Sequence, residues 1–233
     1  MIRWDVPGAY EVVFSTRVGG VSEGPFASLN LGVMTGDDVA FVGENRRRLC
    51  AAAGADPSRL ALNRQVHGAA VHRAQPGARD AHGDGLWTNE PAVPMLKLTA
   101  DCLPIAVART DGSTPALALV HAGWRGLLEG VAAAAVGVLD GRTAAIVGPG
   151  IGVCCYEVGP DVAEPFRDKF GEGVLRGSNL DLPAAAEVAL RAAGCASVER
   201  VDLCTACHEE RFFSYRRDGA RTGRQGVIGL IAA

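Results

Sequence analysis

The sequence Pro-Ile-Ala-Val-Ala at residues 104–108 and the sequence Ala-Leu-Ala-Leu-Val at residues 116–120 are two apolar runs in the middle of the chain. Short apolar runs bounded by turn residues are typical of strands that are buried on both faces. The sequence Thr-Asp-Gly-Ser at residues 110–113 lies between the runs and suits the turn of a β-hairpin. The middle of the chain is therefore predicted to form a buried hairpin.

Helices and further strands are predicted on both sides of this hairpin. Helical spacing covers residues 42–53 behind the capping region 37–38, and also residues 127–139, 161–170 and 182–193, the last behind Asp181. Strands are predicted at residues 11–15, 69–73, 144–147 and 198–203, and residues 75–86 are predicted to form a polar loop. Because these elements do not alternate in a regular βαβ pattern, the sequence favours a mixed α/β or α+β fold over a purely parallel sheet. No repeat, low-complexity tract or linker divides the chain, so residues 1–233 are predicted to form one domain.

The composition argues against several classes of function. The chain has 233 residues, 48% hydrophobic content and a formal net charge of −3. It can therefore bury a sizeable core, and it gives no reason to expect a nucleic-acid or membrane partner. No apolar stretch approaches the ~20 residues of a membrane span, and the N-terminus lacks a signal core. The cytoplasm is the expected location, where the 7 cysteines should stay reduced and available for thiol chemistry or metal binding.

Three short motifs each contain a residue of a type that commonly binds metal ions. Each motif lies where a predicted strand meets a loop. They are Asn-Arg-Gln-Val-His-Gly at residues 63–68, Thr-Ala-Asp-Cys-Leu-Pro at residues 99–104 and His-Ala-Gly-Trp-Arg-Gly at residues 121–126. Their ligand residues, His67, Cys102 and His121, would leave one tetrahedral position of Zn²⁺ open, as in catalytic zinc sites. Each residue taken alone is better explained as a hydrogen-bonded loop histidine or a small buried cysteine. The polar neighbours Asp101 and Arg125 favour a site.

The sequence Cys-Thr-Ala-Cys-His at residues 204–208 matches several metal and redox patterns. The pattern C-x-x-C-H attaches c-type haem, but that requires export, and the sequence shows no export signal. A lone C-x-x-C supplies half of a structural zinc site, and no thioredoxin-like context supports a redox dithiol. We therefore expect a plain buried or site-lining segment.

Two other regions combine arginine with groups that bind small polar ligands. Residues 209–219 and 222–225 mix arginines with aromatic residues, which fits a nucleoside better than a nucleic acid because the patch is short. A solvated hairpin with a buried phenylalanine pair is the alternative. Residues 14–21 place glycines beside Arg17, which can hold an anion but lacks the spacing of a Walker loop or a dinucleotide fingerprint.

Taken in order, these motifs resemble the laccase-domain family, whose bacterial members are called YfiH-like or polyphenol-oxidase-like proteins. The resemblance covers nearly the whole chain. It rests on FSTRVGGVS at residues 14–22, SLNLG at 28–32, QVHG at 65–68, ADCLP at 100–104, HAGWRG at 121–126, GPGIGVCCYEV at 148–158, RFFSYRRD at 211–218 and TGRQ at 222–225. It implies an α+β domain of layered mixed β-sheets with flanking helices, and a zinc site formed by His67, Cys102 and His121.

The resemblance also implies purine nucleoside chemistry. The implied reactions are phosphorolysis of adenosine, inosine, guanosine or methylthioadenosine, and hydrolytic deamination of adenosine. Older naming of the family implies copper-dependent phenol oxidation. A multicopper centre needs many histidines, whereas the chain has 5 in total, so that chemistry is not expected. A single copper ion stays open, because copper outcompetes zinc at many N/S sites.

The implied reactions assign expected roles to individual residues. We expect Arg17 and Arg64 to bind phosphate beside C1′ of the ribose, Asn30, Gln65, Asp101 and Arg125 to orient the substrate, and Tyr156 to stack on the base. Deamination needs a carboxylate that moves protons while an activated water attacks C6 of the purine. Asp101 is the first choice for that carboxylate and Glu157 is the second.

Two functions of other classes compete with this prediction. Cys102 with His67 and His121 permits a cysteine nucleophile, for instance in a hydrolase or editing enzyme acting on cell-wall precursors. Metal analysis separates the two ideas, because one thiolate cannot be both a metal ligand and a free nucleophile. A non-enzymatic binding module has no positive feature in its favour. The expected ligands are a purine nucleoside, phosphate and Zn²⁺, and the oligomeric state stays open.

Overall fold

The predicted hairpin lies at the centre of the larger β-sheet in the computed structural model, which describes residues 1–232. Its strands, Leu103–Arg109 and Leu117–Ala122, pair antiparallel. Ile105 and Val107 pack in one core cluster, and Ala106 and Ala108 pack in another on the opposite face of the sheet. Since both faces are buried, the strands are apolar throughout instead of alternating between apolar and polar residues. The predicted hairpin is confirmed.

The strands are β1 (Ile2–Arg3), β2 (Tyr10–Phe14), β3 (Val71–Arg73), β4 (Gly85–Thr88), β5 (Met95–Thr99), β6 (Leu103–Arg109), β7 (Leu117–Ala122), β8 (Thr143–Val147), β9 (Leu175–Arg176), β10 (Asn179–Leu180), β11 (Ser197–Arg200) and β12 (Gln225–Ile231). The helices are α1 (Val39–Ala52), α2 (Trp124–Glu129), α3 (Val131–Gly137), α4 (Pro160–Phe170), α5 (Leu182–Ala192) and α6 (Tyr215–Asp218).

The strands form layered sheets. A six-stranded mixed sheet has the order β11-β8-β6-β7-β4-β3, and a four-stranded sheet has the order β1-β2-β12-β5. One core cluster joins the two sheets face to face, a second lies between the larger sheet and helices α2 to α5, and a third lies between the smaller sheet and α1. The α+β fold with layered mixed sheets and flanking helices is therefore confirmed.

Two helices begin where their capping residues predict. The Asp38 side chain accepts a hydrogen bond from the N–H of Ala40 at the start of α1, and Asp181 accepts one from Ala184 at the start of α5. The prediction of a single helix at residues 127–139 is wrong. Gly130 has a φ of 97°, a left-handed conformation that ends α2 and separates it from α3.

Several other segments differ from the prediction. Strands β5 and β12 were not predicted, although β12 lies between β2 and β5 in the smaller sheet. The predicted polar loop at residues 75–86 already contains the first residues of β4. Residues 215–218 form the short helix α6 and not a hairpin, although the phenylalanine pair that precedes it is fully buried.

Within residues 1–232, no helix has both the length and the apolar character that crossing a bilayer requires.

Three strand ends meet at one edge of the larger sheet. The beginning of β6 and the end of β7 lie together because the two strands are antiparallel, and Leu103 is opposite Ala122. The beginning of β4 lies at the same edge, since Gly85 pairs with Val120. Residues just outside these strand ends therefore meet.

Candidate metal centre and its cavity

Three potential metal ligands from distant parts of the sequence meet at this edge. The ligand atoms of His67, Cys102 and His121 all lie within 4.8 Å of one another. His121 is the last residue but one of β7, Cys102 immediately precedes β6, and His67 lies in the loop before β3. The two imidazole rings are nearly perpendicular, with their centroids 4.8 Å apart. The structure therefore brings together the three residues that the motifs singled out.

Asp84, a fully buried residue immediately before β4, organises two of the three ligands. Its carboxylate accepts hydrogen bonds from the successive backbone N–H groups of residues 66–68 at 3.1, 3.0 and 2.7 Å. Its Oδ1 also lies 2.8 Å from Nδ1 of His121. When Nδ1 donates to the carboxylate, Nε2 of His121 carries the lone pair that a metal ion needs.

The turn that presents His67 is held in an unfavourable conformation. His67 has a φ of 62°, which costs a non-glycine residue roughly 1–2 kcal/mol. The Asp84 carboxylate stabilises the turn from one side. From the other side, Gln65 Nε2 donates to the Leu98 carbonyl at 2.8 Å, and Gln65 Oε1 accepts from the Leu98 N–H at 2.9 Å. Gln65, predicted to orient the substrate, thus has its amide engaged in fixing this turn to β5.

Burial sets the protonation states of the candidate ligands. Burial lowers the pKa of His121, although the hydrogen bond to Asp84 opposes this shift. Burial also raises the pKa of the Cys102 thiol to about 12, and the nearby Asp101 charge adds to the shift. For Asp84, burial acts to raise the pKa, but hydrogen bonds from His121 and Gly68 outweigh it and the net direction is down. The site thus holds a neutral imidazole and a thiol that a cation would convert to thiolate.

The donor set fits a zinc ion. Two imidazole nitrogens and one sulfur, with a side open to a cavity, are the donors of catalytic zinc sites. Gly123 keeps the space clear, because a Cβ atom there would lie 3.0 Å from Sγ of Cys102 and 3.2 Å from Cδ2 of His67. The same nitrogen and sulfur donors also suit copper. The donor chemistry therefore fits a borderline or soft divalent ion without selecting between these two metals.

A cavity of about 940 Å³ opens beside the three ligands, which form part of its wall. The lining also carries six arginines, which are Arg46, Arg64, Arg79, Arg125, Arg216 and Arg224. Asp101 is the one carboxylate in the lining among residues 1–232. A concave surface with this excess of positive charge attracts anions.

The arginines of the cavity differ in how their donors are used. Arg46, Arg216 and Arg224 donate to backbone carbonyls, for example from Arg46 Nε to Leu31 O at 2.8 Å. By contrast, no side-chain hydrogen bond is made to another part of chain 1–232 by Arg64, Arg79 or Arg125. The guanidinium of Arg125 stacks on Trp124, with Cζ 4.6 Å from the ring centroid. These three guanidinium groups keep their N–H donors available for a ligand.

Asp101 lies next to Cys102, but both of its carboxylate oxygens already accept hydrogen bonds. Oδ1 accepts from Oγ1 of Thr205 at 2.7 Å, and Oδ2 accepts from the backbone N–H of Arg216 at 2.6 Å. These bonds tie the loop before β6 to residue 205 and to the start of α6. The arrangement fits an orienting role better than that of a free base, the two roles between which the sequence left a choice.

Tyr156, predicted to stack on the base, also lines the cavity. The guanidinium of Arg216 lies over its ring, with Cζ 5.3 Å from the ring centroid. Burial raises the pKa of the Tyr156 hydroxyl to about 12, so the hydroxyl stays protonated at neutral pH. The residue therefore offers an aromatic ring and a neutral hydrogen-bond donor.

Arg17 does not line this cavity. Its Nε donates to the Ala27 carbonyl at 2.7 Å, and its second donor reaches the Glu209 carbonyl at 3.1 Å. Its Cζ lies 4.6 Å from the centroid of the Phe213 ring. These contacts join two loops, and they give no support to the predicted phosphate role of Arg17.

Asn30 and Glu157 are also absent from the lining of the cavity. Asn30 is fully buried. Its Nδ2 donates to Thr35 Oγ1 and to Asp37 Oδ2, both at 2.9 Å, and its Oδ1 accepts from the N–H of Arg224 at 2.8 Å. Asn30 therefore fixes local loops. Glu157 is exposed, and its backbone carbonyl accepts from Arg216. Of the predicted outer residues, Arg64, Gln65, Asp101, Arg125 and Tyr156 line the cavity.

Two buried charged residues of the site were missed in the sequence. Asp84 stands between two glycines in the segment predicted as a polar loop, and that spacing was the signal available. Lys97 of β5 is fully buried, and its Nζ donates to Oδ1 of Asn63. Burial lowers the pKa of Lys97 to about 7, and the charge of Asp84 opposes this shift.

The chain is similar to known proteins over nearly its whole length. Residues 11–232 match the family model described as multi-copper polyphenol oxidoreductase laccase. A Deinococcus radiodurans protein named purine nucleoside phosphorylase is 42% identical over 229 residues, which cover 93% of this chain and 88% of that protein. A Pseudomonas aeruginosa protein, also named purine nucleoside phosphorylase, is 39% identical over 232 residues, 95% of this chain and 93% of that one. The crystal structure of YlmD from Geobacillus stearothermophilus has a TM-score of 0.89 and 33% identity, covering 97% of this chain and 93% of that one.

Proposed function

The chain belongs to the family described as multi-copper polyphenol oxidoreductase laccase, and from this premise we propose that residues 1–233 form one catalytic domain that cleaves purine nucleosides with phosphate. Relatives about as long as this chain carry the name purine nucleoside phosphorylase. The observation that carries the proposal is the convergence of His67, Cys102 and His121 on the wall of a cavity lined by six arginines.

The size and charge of the cavity suit a nucleoside together with phosphate. Its volume of about 940 Å³ lies within the range of roughly 300–1,000 Å³ that is common for small-molecule sites. Phosphate is an anion that guanidinium groups bind through paired N–H donors. Arg64 is our first choice for this contact, because it lines the cavity and its donors are unused. Arg79 has the same properties and is a second phosphate-binding residue in this proposal.

We propose that His67, Cys102 and His121 hold Zn²⁺. When bound there, the ion would supply Lewis-acid chemistry at the wall of the cavity. Asp84 contributes by keeping Nδ1 of His121 protonated, which would leave the lone pair of Nε2 available to the ion. Gln65 contributes by fixing the turn that carries His67.

The remaining groups act on the substrate in this proposal. Phosphorolysis breaks the bond between C1′ and N9 of the purine and forms a bond from C1′ to an oxygen of hydrogen phosphate, while the departing purine takes up the proton that the phosphate gives up. Arg64 holds the phosphate anion beside C1′, where its negative charge stabilises the oxocarbenium ion that develops. Tyr156 and Arg125 contact and orient the nucleoside.

Hydrolytic deamination of adenosine is a second activity that this site supports. The supporting observation is that Asp101 lines the cavity and is followed directly in the sequence by Cys102, one of the candidate metal ligands. Because both oxygens of Asp101 already accept hydrogen bonds, moving a proton would require one of these bonds to be given up. An Asp101→Asn variant tests this point, because an amide can retain both contacts once the Thr205 hydroxyl rotates to accept. Loss of ammonia release from adenosine with phosphorolysis retained identifies Asp101 as the proton-transfer group, and equal retention of both activities assigns it a positioning role.

Two alternative functions fit the geometry less well. Among residues 1–232, the ligand cluster contains two of the chain's histidines, His67 and His121, too few for a multicopper centre, so copper chemistry would have to use a single ion. A cysteine nucleophile needs a thiolate, whereas burial raises the pKa of Cys102. We also propose a cytoplasmic location, because the reduced thiol of Cys102 that the site requires persists in a reducing compartment.

The proposal is tested with purified protein whose metal content has been measured. Inosine and adenosine are incubated with and without phosphate, and the products are separated by chromatography. We expect free base and ribose 1-phosphate in the presence of phosphate, and their loss in a Cys102→Ser variant. Cys195→Ser is the matched control, since Cys195 is a buried thiol that lies outside the cluster and should leave activity unchanged.

Zinc-replete protein that releases neither free base nor ammonia would contradict the proposal. Activity that persists after complete metal removal and is abolished by alkylation of Cys102 would instead support the cysteine-dependent alternative.

A further inference from the structure

A second cluster of potential ligands lies outside the cavity. The Sγ atoms of Cys154, Cys155, Cys204 and Cys207 all lie within 4.8 Å of one another. Cys207 Sγ is 3.4 Å from Sγ of Cys154 and 3.4 Å from Sγ of Cys155. The two halves of the cluster, residues 154–155 and residues 204–207, are separated by 49 positions in the sequence at their nearest, so their meeting is a property of the fold.

The sheet topology explains why these thiols meet. Strands β8 and β11 are parallel neighbours, so their carboxyl ends lie at the same edge of the sheet. Cys154 and Cys155 follow β8, whereas Cys204 and Cys207 follow β11. A bridge between Gly150 and Cys204 continues the pairing beyond the strands. The C-x-x-C motif, which alone offers half of a metal site, is thus completed by the neighbouring Cys-Cys pair, and Cys207 is exposed and not part of a buried segment.

From this geometry we propose that the four cysteines bind a structural Zn²⁺ ion as a tetrathiolate site. Four sulfurs at about 2.3 Å from zinc in a tetrahedron are separated by about 3.8 Å, close to the spacing observed here. The equal approach of Cys207 to two sulfurs is typical of ligands around a common centre, whereas a disulfide selects one partner at about 2.05 Å. Four sulfur donors in tetrahedral arrangement select zinc or an iron–sulfur cluster over harder cations.

One of the four sulfurs, that of Cys204, accepts a backbone hydrogen bond. The backbone N–H of Gly152 donates to Cys204 Sγ at 3.3 Å, which stabilises a thiolate. Four thiolates and one Zn²⁺ carry two net negative charges. Two guanidinium groups bind carbonyls of the loops that hold the cluster, from Arg217 to Thr205 O at 3.0 Å and from Arg216 to Cys155 O at 3.4 Å. Their positive charges offset this excess.

The tetrathiolate site would link the two loops that support the cavity. Thr205, between Cys204 and Cys207, donates to Asp101 Oδ1 at 2.7 Å, and Asp101 precedes Cys102. On the other loop, Tyr156 directly follows Cys155 and lines the cavity. The second zinc ion is therefore a structural cross-link that positions Asp101 and Tyr156 without contacting substrate.

The proposal is tested by measuring metal per chain in protein that was purified under anaerobic, reducing conditions. We expect two zinc ions per chain in the wild type and one in a Cys154→Ser/Cys207→Ser variant, which replaces the two exposed thiols. A Cys102→Ser variant should also retain one ion, and Cys195→Ser, the matched control, should retain two. A zinc content that does not fall in the Cys154→Ser/Cys207→Ser variant, or iron with inorganic sulfide at the four cysteines, would overturn the proposal, whereas loss of zinc from the His67, Cys102 and His121 site alone would not.

Two measurements on the wild type keep the test decisive if the double variant fails to fold. Replacement of zinc by Co²⁺ should give the intense charge-transfer and visible bands of a tetrahedral cobalt tetrathiolate. Iodoacetamide followed by peptide mass analysis should leave the four thiols unmodified until a strong chelator is added. Rapid alkylation of all four without the chelator, or a Cys154–Cys207 disulfide in the reduced preparation, would contradict the site.

Discussion

Asp84 Oδ1 lies 2.8 Å from Nδ1 of His121, and the same carboxylate accepts the backbone N–H of His67 at 3.0 Å. One buried acid thus fixes two candidate metal ligands. An Asp84→Asn variant replaces an acceptor oxygen by an N–H₂ group, which leaves either His121 or the turn at residues 66–68 without its acceptor. We expect zinc affinity at this site to fall by roughly 10–100-fold, measured by competition with a chromophoric chelator.

Asp80→Asn is the matched control for this measurement, because Asp80 is an exposed acid in the segment that precedes Asp84. Its zinc affinity should equal that of the wild type. Equal affinities in all three proteins would show that Asp84 does not orient the ligands.

Arg64 and Arg17, both predicted to bind phosphate, should behave differently when replaced. Arg64→Ala removes a free guanidinium from the cavity wall, and the loss of charged hydrogen bonds worth about 1.5–3 kcal/mol should raise KM for phosphate roughly 10–100-fold. Arg17→Ala removes contacts to the Ala27 and Glu209 carbonyls and should lower the melting temperature while KM for phosphate stays unchanged. Steady-state kinetics with varied phosphate separates these results, and the opposite pattern would return the phosphate role to Arg17.

Gly123 should be intolerant of even the smallest side chain if the three ligands share a metal ion. A Cβ atom would lie 3.0 Å from Cys102 Sγ and 3.2 Å from His67 Cδ2, so Gly123→Ala should force the ligands apart and lower zinc affinity at least about tenfold, a loss of about 1.4 kcal/mol. Gly137→Ala is the control, since a Cβ there meets open space, and alanine in a helix should raise stability by roughly 0.5–1 kcal/mol. Unchanged zinc affinity in Gly123→Ala would argue against a shared ion.

Lys97 should make the stability of the protein depend on pH. Burial lowers its pKa in the native state to about 7 from 10.5. Between these values the unfolded chain holds a proton that the native chain lacks, so the free energy of unfolding should rise with pH, by at most about 1.4 kcal/mol per pH unit. Lys97→Met lacks this contribution. Its stability advantage over the wild type should therefore shrink as pH increases from 7 toward 10.5.

Denaturant unfolding at several pH values, with the metal content of the two proteins matched, measures this difference. Parallel stability curves would mean that Lys97 keeps its proton in the native state.

The parts of the fold that local patterns specify were predictable. The apolar runs of β6 and β7, the turn between them and the caps Asp38 and Asp181 each act over a few residues, and each is present. Strand β12 was missed because Gly226 and Gly229 weaken its strand signal, while its neighbours β2 and β5 are far away in the sequence. The break at Gly130 was missed because a helix of alanine and valine tolerates a glycine in the pattern, and only the backbone shows the positive φ.

Some residues of the candidate site could also be recognised in the sequence, and others could not. His67, Cys102 and His121 were recognisable because each stands in a distinctive motif. The role of Asp84 depends on contacts with residues 16 to 37 positions away, and nothing in its own neighbourhood shows them. The motif around Arg17 is equally distinctive, yet its guanidinium serves two loops and not the cavity, because sequence gives residue type and not direction.

Strand β12 has a consequence for how this protein is made. The N–H of Ser15 donates to the carbonyl of Gly226 at 2.8 Å, and the N–H of Gly226 donates to Ser15 Oγ, 211 positions away. On the ribosome, β2 emerges early, and it cannot pair with β12 until residues 225–231 have been translated. During that interval an unpaired strand edge is open to wrong partners. We therefore expect the yield of native protein in cells to respond to the supply of chaperones more strongly than to changes in its final stability.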